Sequence, residues 1–220
     1  MNTYLTLSKG LIILLLLLLL LPGCSTVTID QVKFRPSELK SGESIVVLGR
    51  RTNGDYETEP ELVSCVGDTL GKGENAINVI PEQEFIDRLY PWFEPRTAPS
   101  NVKDLQRLLQ YQGVSKVFDE LNVHYIVWID GNTEKVKSYG RITCGLSATL
   151  VSCFGFGTWD DKAQYEAAIW DYRKKEQIGK ISSQADGTSY MPALVVPIPL
   201  LAQVQSDACS AMSKQLQTFF

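Results

Sequence analysis

Five cysteines and one histidine are the residues best suited to nucleophilic, redox or metal chemistry in this chain, and their spacing restricts what they can do. Cys65, Cys144, Cys153 and Cys209 form no C-x-x-C pair, and His124 has no second histidine to join it. Zinc draws on closely spaced thiolates and imidazoles, so no metal site is expected, and no cofactor. His124 lies in the apolar run V-H-Y-I-V-W-I, where alternation puts Val123, Tyr125 and Val127 on the opposite face. That predicts a structural histidine and not a general base. The chain has neither a G-x-S-x-G elbow nor an H-E-x-x-H helix.

Three further segments match chemical motifs by letter only. Gly67-Asp68-Thr69-Leu70-Gly71-Lys72-Gly73 resembles a phosphate-binding loop, but Gly73 stands where Ser or Thr holds magnesium and the helical pattern precedes it, so it reads as a helix end. Ser37-Glu38-Leu39-Lys40 has the S-x-x-K spacing of penicillin-recognising enzymes without their partner motifs. Asp130-Gly131-Asn132-Thr133-Glu134 starts like a calcium loop and lacks its later ligands, leaving a solvated turn.

Cys24 is different because of what stands before it. Leu11 to Leu21 are all Leu or Ile, follow Lys9, and lead into L-P-G-C. At about 1.5 Å per residue this run spans roughly 17 Å against a hydrocarbon core of about 30 Å, too short to cross. A positive start, a short apolar stretch and a small residue before the cut read as an export signal over residues 1–23. L-P-G-C resembles the lipobox of bacterial lipoproteins, which implies diacylglyceryl transfer to Cys24 and cleavage before it. Ser25 in place of aspartate implies sorting to the outer membrane, on its periplasmic face.

Cleavage there leaves 197 residues with 20 basic and 25 acidic side chains, a net charge of −5. That length suits one domain, and the acidic balance excludes a basic field for nucleic acid. Four cysteines in an oxidising compartment are expected to form disulfides, with three pairings open. Cys144 and Cys153 flank a short loop within one predicted hairpin.

Residues 24–43 read as a polar tether that ends in an edge strand, holding the domain away from the bilayer, and residues 44–220 as the domain. Ser44 to Gly49 predicts a buried strand. Thr58-Glu59-Pro60-Glu61 has the form of a capping box, and Leu62, Val66 and Leu70 continue at helical spacing to Gly71, with Cys65 on or beside the buried face. Ala76 to Ile80 predicts a strand and Pro81 to Tyr90 a helix. Helical spacing returns through Val102, Leu105 and Leu109 and again through Val117, Phe118 and Leu121, with Asn122 as a left-handed stop. Val123 to Ile129 predicts a central strand closed by a turn at Asp130-Gly131-Asn132. Shorter strands follow near Tyr139–Cys144, Tyr165–Tyr172 and Gly179–Ser183, and a helix from about Ser206 to Phe219 closes the chain. The expected fold is α/β: a mixed β-sheet with helices packed on it, an α/β sandwich in a single domain.

In its S-I-V-V-L-G strand, its N-V-I-P-E-Q-E-F-I-D-R-L segment, its V-F-D-E-L-N-V-H-Y-I-V-W-I-D-G unit and its Tyr165–Asp171 strand, the chain resembles the periplasmic lipoproteins related to the curli-secretion channel subunit, the outer-membrane activators of peptidoglycan synthases and the amino-terminal domain of the Tol-system β-propeller protein. F-G-F-G-T-W-D and G-T-S-Y-M-P also resemble segments of uncharacterised proteobacterial lipoproteins. The resemblance implies a domain that binds or assembles without catalysing, with an envelope protein or further copies of itself as partner. It also implies that the opening and closing helices share one layer, where Cys65 and Cys209 meet.

Two segments carry the binding expectation. Phe154, Phe156 and Trp159 alternate with glycines, which weaken a core strand, so their rings either fold back on the sheet or offer a surface to a partner or lipid. Pro192 to Leu201 holds three prolines among apolar residues, and is either a cover for the core or a contact patch. The competing class is an envelope hydrolase or transferase with acidic catalytic residues that the sequence does not single out.

Overall fold

The structure is a computed structural model and describes residues 25–50, 58–94, 96–99, 101–146, 151–194 and 196–220. Among the described residues the six strands are β1 (Ser25–Lys33), β2 (Ser44–Gly49), β3 (Val79–Ile80), β4 (Val123–Leu146), β5 (Val151–Asp171) and β6 (Glu176–Ala193). The five helices among the described residues are α1 (Pro60–Leu70), α2 (Glu82–Arg88), α3 (Val102–Leu108), α4 (Gln112–Glu120) and α5 (Val204–Phe219). The strands form one sheet in the order β1-β6-β5-β4-β2-β3. β4, β5, β6 and β1 run as an antiparallel meander, and β2 and β3 add in parallel beside β4. This is the expected mixed α/β sheet in a single domain.

Helices cover both faces of the sheet. α1 and α5 lie on one, with Leu62, Val66, Leu70, Ala208, Met212 and Leu216 against Tyr125, Val127, Ala167 and Ile169. α2, α3 and α4 lie on the other, with Phe85, Leu105 and Phe118 against Val46, Ile126, Trp128 and Trp170. All six residues of β2 are buried because this strand has neighbours on both edges and helices on both faces. Cys65 of α1 and Cys209 of α5 form a disulfide with their Cα atoms 6.2 Å apart.

Several elements depart from the sequence reading. The first part of the expected tether is β1, paired with β6 from Ser25↔Gly187 to Lys33↔Gly179. Its alternation Val27-Thr28-Ile29-Asp30 is that of an edge strand, which turns Ile29 toward the core. The capping box does not form: Glu59 is the N-cap of α1, and the Thr58 hydroxyl donates to the carbonyl of Ile129 at 3.1 Å. Asp130-Gly131-Asn132 makes no turn, and β4 runs through it for 24 residues. Gly131 sits at φ +131°, and a Cβ there would stand 2.0 Å from the carbonyl oxygen of Gln164. Glycine therefore serves close strand approach at this point, which mimics a turn signal in sequence. The separate short strands expected after it are parts of the long β4, β5 and β6.

Candidate functional site

Two places in the fold gather chemically distinctive residues. The first surrounds His124. The pairing of β2 with β4 steps from Ser44↔Val123 to Ile45↔Tyr125, so His124 falls at an irregularity that the alternation argument did not foresee. Val123 accordingly packs with Ile126 and Trp128, not on the face of Tyr125. The His124 ring stacks on Tyr125 with centroids 4.0 Å apart and sits between two buried carboxylates. Its Nδ1 lies 2.6 Å from Glu43 Oε2, and its Nε2 lies 3.6 Å from Asp171 Oδ2.

Glu43 is further held by the Lys40 amide at 2.9 Å and by the Arg173 guanidinium at 2.5 Å. Burial alone raises its pKa, but the Lys40 amide, the His124 ring and the Arg173 charge outweigh it and hold the carboxyl at about 2. Asp171 accepts the Lys174 amide at 2.8 Å. The shallow cavity beside this group is lined by Pro36, Glu38, Lys40, His124, Tyr125, Arg173 and Lys174, with no serine, threonine or cysteine among them. The arrangement ties the chain before β2 to the end of β5 and the turn beyond it.

The second place is the far end of the meander. Beyond the level of Asp161, β4, β5 and β6 continue as a three-stranded extension that no described helix covers on the Phe154 side. The described residues at this end, 138–146, 151–159, 189–194 and 196–201, contain one charged residue, Arg141, in a chain that is 21% charged. Phe154 and Phe156 are 58% and 47% exposed, on the face that also carries Tyr139 and Tyr190. Trp159 faces the other way, half-buried, with the Lys135 ammonium 4.5 Å from its ring centre. The expected aromatic loop is thus strand throughout, and its three rings are divided between two faces. Gly155, at φ +139°, lies where a Cβ would stand 2.1 Å from the Arg141 carbonyl oxygen, so close pairing with β4 explains this glycine.

Cys144 and Cys153 stand directly opposite each other in this extension and form its disulfide, with Cα atoms 4.0 Å apart. The proline-rich ribbon folds back along the outer side of β6: Tyr190 and Leu200 exchange both backbone hydrogen bonds, at 2.8 and 2.7 Å. Among its described residues Leu194, Val196, Ile198 and Leu201 are exposed. A row of charges closes the base of the extension, where Lys135 pairs with Asp161, Lys137 with Asp160 and Lys162 with Asp186 across the strands.

No protein-family profile matches the chain, and no curated protein matches it. Among solved structures it is similar to two of the PelC dodecamer from Paraburkholderia phytofirmans, at 13% and 14% identity and a TM-score of 0.40 in each case. The likeness covers 88% of this chain and 98% and 97% of those chains.

Cys24 lies outside the described residues, so the structure reaches only to the strand that begins at the next residue. Among the described residues no group of three metal-ligating side chains converges, and no helix is long and apolar enough to cross a membrane. The Glu43–His124–Asp171 group escaped the sequence reading because its carboxylates are distant in sequence and carry no motif. The charge-free stretches were visible all along, but only strand pairing gathers them at one end.

Proposed function

We propose that this is a lipid-anchored envelope protein, on the periplasmic face of the outer membrane, that acts by docking as a binding, assembly or accessory factor and performs no reaction of its own. The single observation that carries the reading is the exposed, almost charge-free end of the sheet. A patch of this kind is costly to leave in water, whereas aromatic anchors such as Phe154 and Phe156 concentrate binding energy. The polar group around His124 fits the same reading, since Glu43 is held by the Lys40 amide and the Arg173 guanidinium as a tie between distant segments.

Crosslinking in cells, followed by mass spectrometry of what is captured, tests the proposal. A variant with Phe154→Ala and Phe156→Ala, which leaves the half-buried Trp159 in place, is expected to fold, to be processed at Cys24, and to lose most of the capture. A folded variant with undiminished capture would refute the role of this surface. An unmodified Cys24 in the mature amino-terminal peptide would refute the anchor.

A further inference from the structure

The geometry points to the bilayer itself as the surface on which the charge-free end of the sheet rests, through the Phe156 face and the Pro192–Leu201 ribbon. The inference builds on the anchor reading and adds an orientation to it. Strand register supplies the argument. Ser25, the residue after Cys24, pairs with Gly187, and Gly187 also pairs with Asp161, at the row of charges. The chain therefore enters the sheet at the boundary between its charged part and its uncharged part.

From Asp161 to Val151 is ten residues, which at about 3.3 Å each carries β5 roughly 33 Å past the point of entry. On the same edge of the sheet, immediately past β1, lies the ribbon, whose Leu200 pairs with Tyr190 three residues beyond Gly187. Whatever holds residue 24 in a membrane holds the ribbon beside that membrane.

The composition suits that surface. Tyr139 and Tyr190, on the Phe156 face, are of the type that gathers at the headgroup level. The backbone limits how deep the contact goes. From Glu134 onward β4 has no strand on its outer side among the described residues, and an open edge is not tolerated in hydrocarbon. The rings and aliphatic side chains therefore enter the boundary between headgroups and acyl chains, and the sheet does not cross.

The test is photocrosslinking of the full chain in cell membranes, with p-benzoylphenylalanine placed at Phe156, at Ile198, or at Tyr111 as a control. Tyr111 is exposed and sits just before α4, near the opposite end of β5, where Tyr172 reaches Ser115. Phospholipid adducts on the peptides holding 156 and 198, at least tenfold above those at 111, are the expected result. The Cys65–Cys209 bridge, read in the same digests, verifies folding. Protein adducts, to a second copy or another partner, in place of lipid adducts at 156 and 198 would overturn the inference while Cys24 remains acylated. An unmodified Cys24 with no lipid adduct at any position would overturn the anchor reading beneath it as well.

Discussion

Glu43 shows how a few side chains fasten distant parts of the chain. Its carboxylate takes hydrogen bonds from Lys40, His124 and Arg173, so the segment before β2 is tied to β4 and to the turn after β5. With its pKa at about 2 against an ordinary 4.5, the unfolded chain binds the Glu43 proton first as pH falls. The contribution is therefore full above about pH 4.5 and is lost as pH falls toward 2. Acid titration followed by circular dichroism should show stability declining through this window, and Glu43→Gln should flatten the decline and lower stability at neutral pH. An unchanged slope in the variant would refute the assignment. None of this was legible beforehand. The strand pattern predicts a structural His124, but its carboxylate neighbours come from segments that only the completed sheet brings together, and the irregularity between β2 and β4 leaves no mark in the residue pattern.

At the scale of elements, helices were read more faithfully than strands. Apolar spacing marked α1, α2, α3, α4 and α5, because each buries one stripe against the sheet. Strand ends were misplaced where glycine serves close packing, as at Gly131, and where both faces of a strand become apolar or exposed together. The two disulfides join elements of very different separation, 144 residues for Cys65–Cys209 and 9 for Cys144–Cys153. In the chain-entropy picture these loops correspond to about 5 and about 3 kcal/mol. Replacing Cys65 and Cys209 together by alanine should therefore lower the unfolding free energy by about 2 kcal/mol more than replacing Cys144 and Cys153. Denaturant titration of the two double variants checks this, and an equal or reversed order would show that the hairpin bridge carries more than loop closure. The long bridge joins α1 to α5 across the buried helical layer, so its loss should be felt throughout the domain.

At the scale of the whole molecule, the place of β1 in the sheet decides how the anchor proposed at Cys24 would hold the domain. A tether after the anchor proposed at Cys24 would leave the domain free to tumble above the membrane, whereas β1 takes its place in the sheet at Ser25 and would allow no slack between that anchor and the core. β1 is an edge strand, held on one side only, and its far end is fastened by Lys33, whose ammonium donates to the Phe219 carbonyl at 2.6 Å and lies 4.4 Å from the Phe219 ring. Ser37 also reaches the Phe219 carbonyl, and the Ser25 hydroxyl reaches Asp207 at the start of α5. The strand is thus clamped to the last helix at both ends. Proteases need several residues of extended, unpaired backbone, which a tether supplies and a paired, clamped strand does not. Brief trypsin treatment of the native protein should leave the bond after Lys33 intact while the unfolded protein is cut there readily, as mass spectrometry of the released peptides would report. Release of residues 25–33 from the folded protein at the unfolded rate would restore the tether and free the sheet from the anchor proposed at Cys24. Protection would mean that the charge-free end keeps one orientation relative to the residue before Ser25, which a docking surface needs if it is to meet the same neighbour in every copy.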